Sequence, residues 1–249
     1  MNVAKAINSP LVITHDTVSP FDPLTEVGGL VLYLNRRDAT PSSWLDQAPN
    51  NYDYAQAVVG QQPSLVGKKV VFDGSDDIQT KLITSPYVGG GGQMFYSGYH
   101  TGQTQFFHAT GFAANDNNRL IFGIDSSGRT ILLNRITGFT RNVRSTGAVL
   151  NIGDYFQASW RTTGLAATGW ECRLNSVEET VVVTSGLNQG NWYSDCINFG
   201  GIDTTSVGGL EALTDEFTNC EINKIILSTN GNLLPNQSEV EAFMANPNS

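Results

Sequence analysis

Asp73, Asp76 and Asp77 place three carboxylates within five residues of VVFDGSDDIQT. Carboxylate oxygens at such density suit a hard cation such as calcium, although the spacing is not that of an EF-hand loop. The competing reading is a plain turn. Asp73 then accepts local backbone N–H groups and Gly74 reverses the chain. Trp192 and Tyr193 follow Asn191 in the polar segment LNQGNWYSD (187–195). Flat rings beside amide side chains can stack on a sugar face and direct hydrogen bonds to its hydroxyls. The alternative is that Trp192 caps the edge of a sheet or meets another subunit. Tyr99, with Tyr96 and Tyr87 near the glycine run at 89–92, forms a second aromatic candidate.

Other chemistry is weakly represented. His15, His100 and His108 form no H-E-x-x-H pattern, and no G-x-S-x-G elbow occurs. The four glycines at 89–92 lack the Lys and Ser/Thr of a phosphate loop and read as a flexible link. Cys172, Cys196 and Cys220 show no C-x-x-C spacing, so three free, mostly buried thiols are expected. Free thiols suit folding in a reducing cytoplasm. No cofactor motif is present.

The chain of 249 residues carries a net charge of −9 and a pI near 4.7, with 15% charged residues. An acidic chain with few lysines is a poor general ligand for nucleic acid. The charge is uneven, however. Residues 119–173 hold seven arginines (119, 129, 135, 141, 144, 161 and 173) against Asp125, Asp154 and Glu171. These arginines either decorate outward strand positions or form a basic face for an acidic neighbour. No apolar run is long enough to insert in a membrane, and the N-terminus has no signal-peptide pattern.

The elements that must hold these residues are short strands. GLVLYL (29–34), KKVVFD (68–73), IQTKLI (78–83), QMFYSGY (93–99) and RLIFGID (119–125) are separated by Gly, Asn, Asp and Ser. DYFQASWRT (154–162), GWECRLN (169–175), ETVVVT (179–184) and EINKIILS (221–228) continue the series. In DYFQASWRT, Phe156, Ala158 and Trp160 alternate with Tyr155, Gln157, Ser159 and Arg161, the period of a half-buried strand. Strands at hairpin spacing predict an antiparallel sandwich. One helix is expected at the C-terminus, with Asn236 and Glu239 as a capping box and Val240, Phe243 and Met244 on its apolar face. Residues 1–27 read as an extended, apolar arm in which Pro10, Pro20 and Pro23 disfavour helix.

SWLDQAPNN (43–51), Pro63 and KKVVFDGSDDIQT (68–80), with CINFGG (196–201), EINKIILS and NQSEVEAFM (236–244), resemble concanavalin A-like, laminin-G-like jelly-roll domains. The resemblance implies an all-β, two-sheet antiparallel jelly roll over 28–249, one domain preceded by the 1–27 arm and closed by a short helix. Some members of that superfamily are glycosidases with carboxylates alternating along one strand. Here Glu211, Asp215 and Glu216 do not alternate, and Glu178 and Glu179 are adjacent and so face opposite sides. A non-enzymatic role is therefore expected. The resemblance, the arm and the missing export signal suggest a phage virion surface protein (capsid decoration, head fibre or tail module), made in the host cytoplasm. Its arm would join a homo-oligomer or other virion proteins, and a host glycan is a candidate ligand. The alternative is an extracellular lectin or an accessory module of a polysaccharide-degrading enzyme.

Overall fold

The computed structural model describes the backbone of residues 21–75, 79–89, 91–112, 115–136, 139–147, 149–162, 170–185, 192–199, 201–202, 216–217 and 219–249. A one-turn helix, α1 (Pro23–Glu26), leads into β1 (Leu30–Ala39), β2 (Ser43–Asp46), β3 (Tyr54–Ala55), β4 (Ser64–Val66) and β5 (Lys69–Asp73). Then come β6 (Gln79–Gly89), β7 (Gly92–Tyr99), β8 (Gln105–Phe112), β9 (Asn115–Ile124), β10 (Thr130–Ile136) and β11 (Phe139–Ser145). The chain continues through β12 (Tyr155–Thr162), β13 (Trp170–Leu174), β14 (Val177–Glu179), β15 (Val181–Ser185) and β16 (Trp192–Phe199). The short β17 (Gly201–Ile202) and β18 (Glu216–Phe217), the long β19 (Asn219–Ser228) and helix α2 (Gln237–Ala245) complete it.

Every pairing among the described residues is antiparallel, and apart from the short β17–β18 ladder the strands sort into two sheets. In the first, β1 and β5 flank successive parts of β19, followed by β7, β12, β13 and β14. In the second, β3 pairs β6, followed by β16, β8, β9, β10, β11 and β15. β2 pairs both β1 and β3 and so joins the sheets along one margin. This is the expected jelly-roll sandwich. Between the sheets lie Leu32, Leu34, Trp44, Phe72, Met94, Tyr96, Phe122, Leu132, Phe156 and Trp160, all sealed from solvent. They are inward positions of period-2 strands, as Phe156, Ala158 and Trp160 predict.

A second apolar cluster covers the outer face of the first sheet. Val240 and Met244 of α2 join Tyr33, Phe95 and Ile226, with Phe243 packed alongside. Phe243 meets Phe21 at 5.5 Å and Tyr33 at 6.0 Å between ring centroids. The polar side of β12 is consequently not solvated: Gln157 is 1% exposed and Ser159 is 2% exposed. The alternation identified the strand correctly, but its outward residues sit beneath a helix from the far end of the chain. Two further expectations are corrected. The capping box does not form, because the Asn236 side chain makes no cap hydrogen bond and donates Nδ2 to the Glu26 carbonyl at 3.0 Å. Pro23 does not prevent helix. It begins the one-turn α1, where no N–H is needed, and Asp22 accepts from the Leu24 amide at 3.0 Å. Residues 1–20 of the arm lie outside the described residues.

The Trp-x-Asp segment is a structural knot. Trp44 is fully buried and donates Nε1 to the Asn35 carbonyl at 2.8 Å. Asp46 is buried and accepts from the backbone amides of Tyr33, Ala48 and Tyr52, each at 2.9 Å. Burial holds its carboxyl above the usual Asp range, against the opposing pull of those three donors. Asp46→Ala leaves three amides without their acceptor and should cost about 3 kcal/mol in urea unfolding, with Asp46→Asn milder.

Lys224 of β19 is fully buried under α2, and its ammonium donates to the carbonyls of Phe243 and Asn246 and lies over the Phe243 ring. Burial is the main cause that lowers its pKa to about 7, with Arg37 adding to it. Unfolded Lys224 keeps its proton to about pH 10.4. The unfolded chain therefore binds the extra proton between those values, and this site adds stability as pH rises from about 7 towards 10. Lys224→Met should flatten that part of the stability-versus-pH profile relative to the native chain.

Candidate functional site

The outer face of the first sheet carries a polar lattice beyond the edge of α2. Strand register creates it. Gln93 of β7 lies opposite Arg161 of β12, which lies opposite Glu171 of β13. One row away, Ser159 lies opposite Arg173, which lies opposite Glu178 of β14. Side chains two apart share a face, so one surface presents two guanidiniums, two carboxylates, an amide and a hydroxyl. With Leu233 from the loop before α2, these residues line a cleft of about 240 Å³.

The charges are matched in place. Arg161 is ion-paired to Glu171 and donates Nη1 to the Gly231 carbonyl at 3.3 Å. Arg173 holds Glu241 of α2 at 2.6 Å and donates to the Ser176 carbonyl at 2.6 Å. Gln237 of α2 accepts from Gln93 Nε2 at 2.7 Å and donates to Glu241 at 2.7 Å. Among the described residues, buried Gln93 Oε1 has no hydrogen-bond partner. The accessible part of the cleft sets side chains that donate beside side chains that accept. Glycine makes the neighbouring wall possible. A Cβ on Gly231 would stand 2.5 Å from the Thr162 carbonyl and 3.0 Å from Gly91 Cα.

The residues singled out from sequence fall elsewhere. Trp192 and Tyr193 begin β16 rather than occupying a turn, with Trp192 opposite Gly89 and Tyr193 opposite Val88. Aromatic residues favour such a pleated setting. Asn191 lies outside the described residues, and so do Asp76 and Asp77. The glycine run is largely absorbed into strands, since β6 ends at Gly89 and β7 starts at Gly92. Tyr99 sits at the other end of β7, so the backbone separates it from Trp192 by the strand's length. Its ring packs edge-on against Tyr155 at 5.0 Å, and the Lys69 ammonium lies 5.0 Å from its centroid. It is half-buried and in contact with both groups.

Asp73 accepts from the Ser75 amide at 2.7 Å, and Gly74 has a φ of 80°, which is the turn geometry read from the sequence. Among the described residues, no group of three His, Cys, Asp or Glu side chains is placed to hold a metal ion. His100 is buried, with Nδ1 at 3.1 Å from Gln105 Oε1. Cys172 and Cys220 are buried free thiols, and burial pushes Cys172 up to about 12, so it stays protonated and unreactive. Glu178 is exposed and Glu179 buried, on opposite sides of β14 as adjacency predicts. Arg161 and Arg173 of the arginine-rich segment occupy outward positions and are neutralised by Glu171 and Glu241. The segment's excess of arginine was the sequence signal for this cleft. Its acids Glu171 and Glu178 lie close to those arginines in sequence, whereas Glu241, the partner of Arg173, comes from a distant helix.

No family model matches the chain, and no curated protein matches it. Solved structures do. Trypanosoma rangeli sialidase in complex with sialic acid superposes with a TM-score of 0.52 at 13% identity, covering 87% of this chain and 33% of that one. The chain therefore spans about a third of the length of the sialidase it matches, and at this identity the likeness is one of fold. Ruminococcus gnavus IT-sialidase CBM40 gives 0.43 at 13% identity, over 62% of this chain and 82% of that one. Mouse laminin α1 domains LG4-5 give 0.47 at 14% identity, over 68% and 43%. The chain has the fold of an antiparallel jelly-roll sandwich.

The Arg173–Glu241 pair is the anchor between the cleft and α2. Glu241 has a side chain only 2% exposed, so Arg173→Met strands a buried carboxylate and should destabilise by about 3 kcal/mol. Adding Glu241→Gln should recover part of that loss in the same thermal or urea titration.

Proposed function

We propose that this chain is a non-catalytic glycan-binding module, and that the cleft over β12–β14 is its binding surface. The observation that carries the reading is the cleft itself, in which Arg161, Arg173, Glu171 and Glu178 set charged donors and acceptors side by side on one sheet face. A sugar hydroxyl donates and accepts at once. One hydroxyl can donate to Glu171 or Glu178 while its neighbour accepts from Arg161 or Arg173. The Leu233 side chain, 53% exposed, offers apolar surface to the C–H face of a ring. The volume suits a short saccharide end and not a long buried chain.

Hydrolysis is not favoured by the same geometry. Glycosidases need two carboxyls facing one bond across about 5–10 Å. Here the register places Arg173 beside Glu178 and Arg161 beside Glu171, so each acid of the cleft meets a guanidinium. The virion-surface role rests on the sequence, on an arm whose Val3, Ile7, Leu11, Val12, Ile13 and Val18 need a cover. Its test is mass spectrometry of purified particles from a lysate containing this gene.

The glycan reading is tested on an array. Arg161→Ala should weaken any bound glycan by about tenfold, and Trp192→Ala should leave it unchanged if the cleft is the surface. Loss in Trp192→Ala with binding intact in Arg161→Ala would move the site to the start of β16.

A further inference from the structure

A second pocket, of about 140 Å³, lies at the opposite edge of the first sheet, where β1 and β5 meet the C-terminal residues. Its walls are Arg36 and Arg37 from β1, Lys68 before β5, the amides of Asn35 and Asn223, and the segment Pro247–Ser249. No Asp or Glu lines it. In a chain with net charge −9, three of fourteen cations converge there.

The hydrogen bonds show what the cations lack. The Arg37 guanidinium donates to the Asn248 carbonyl, and the Lys68 ammonium donates to Asn248 Oδ1. Arg36 Nε donates to the Lys69 carbonyl at 3.0 Å, and Asn35 Nδ2 to the Ser249 carbonyl at 3.3 Å. The acceptors of Arg36, Arg37 and Lys68 are neutral peptide or amide oxygens, and the one negative group lining the pocket is the terminal carboxylate of Ser249, which Asn35 meets. The carboxylates of adjoining positions are turned to other partners: Asp38 accepts from Gln47, and Glu221 pairs with Lys69. Lys224 lies next to this segment, held by the Asn246 carbonyl, but is not part of the lining. Gly67, in the same wall, has no atom within 4 Å of where its Cβ would stand, so the wall is open at that point.

We propose that this pocket is an oxyanion site that takes a sulfate or phosphate group, with Asn248 standing in for it in the present arrangement. A tetrahedral anion presents several charged acceptors to guanidinium and ammonium donors, and charged hydrogen bonds exceed those to amide oxygens in strength. The group can arrive as a free ion or as a substituent of a saccharide. The site is separate from the cleft over β12–β14 and does not depend on it.

The test is calorimetric and thermal titration of the full chain with sodium sulfate and sodium phosphate, against sodium chloride at equal ionic strength. A saturable response beyond chloride is expected. Arg37→Gln combined with Lys68→Gln should weaken it about tenfold or more. The charge-keeping pair Arg37→Lys and Lys68→Arg should retain most of it and controls for folding. Removing residues 247–249 should tighten binding by freeing both cations. A sulfated disaccharide distinguishes the sources: tighter binding than inorganic sulfate, still lost in the Gln pair, assigns the group to a saccharide. Equal responses to sulfate and chloride, or an undiminished response in the Gln pair, would overturn the proposal.

Discussion

Burial of the first sheet on both faces governs this structure. β7, β12 and β19 pack Met94, Tyr96, Phe156, Trp160, Ile225 and Leu227 against the second sheet. Their opposite sides carry Gln93, Gln157, Ser159 and Lys224, which are also removed from water. A buried polar group without a partner costs on the order of 1–3 kcal/mol. The cover over that face must therefore bring partners as well as apolar surface, and α2 supplies both. Val240 and Met244 fill the apolar centre, while Gln237, Glu241 and the carbonyls at its end meet the polar rim. A purely apolar helix would strand the rim, and a purely polar one would leave Phe95 and Ile226 without contact.

The same arrangement divides the charged residues into two kinds of surface. On the β12–β14 side, each guanidinium has a carboxylate, so the field is local and directional. On the β1–β5 side, Arg36, Arg37 and Lys68 donate their hydrogen bonds to neutral oxygens. Paired charges favour ligands with mixed donors and acceptors, whereas unmatched cations favour anions. One sheet thus presents two different chemistries at its two margins.

What was legible in the sequence was what local pattern encodes. Alternation in DYFQASWRT and the Asp73–Gly74 turn were both readable, and Asp73 does accept from the Ser75 amide. The Trp44–Asp46 segment was readable through resemblance, although its role as acceptor for Tyr33, Ala48 and Tyr52 needs the folded chain. Features set by distant partners were hidden. Asn236 had the sequence of a cap but turned to Glu26, and the polar side of β12 looked wet until α2 closed over it. The cleft joins β7, β12, β13 and β14, and no window of neighbouring residues contains it. Its arginines stood out only as an excess of one sign.

The bond from Asn236 to the Glu26 carbonyl, with Phe21 packed on Phe243, ties the first described residues to the closing helix. Residue 21 and α2 therefore lie on the same outer side of the first sheet, and the second sheet lies on the other. Two segments more than two hundred residues apart in sequence thus clasp one face, and the sandwich has a front and a back.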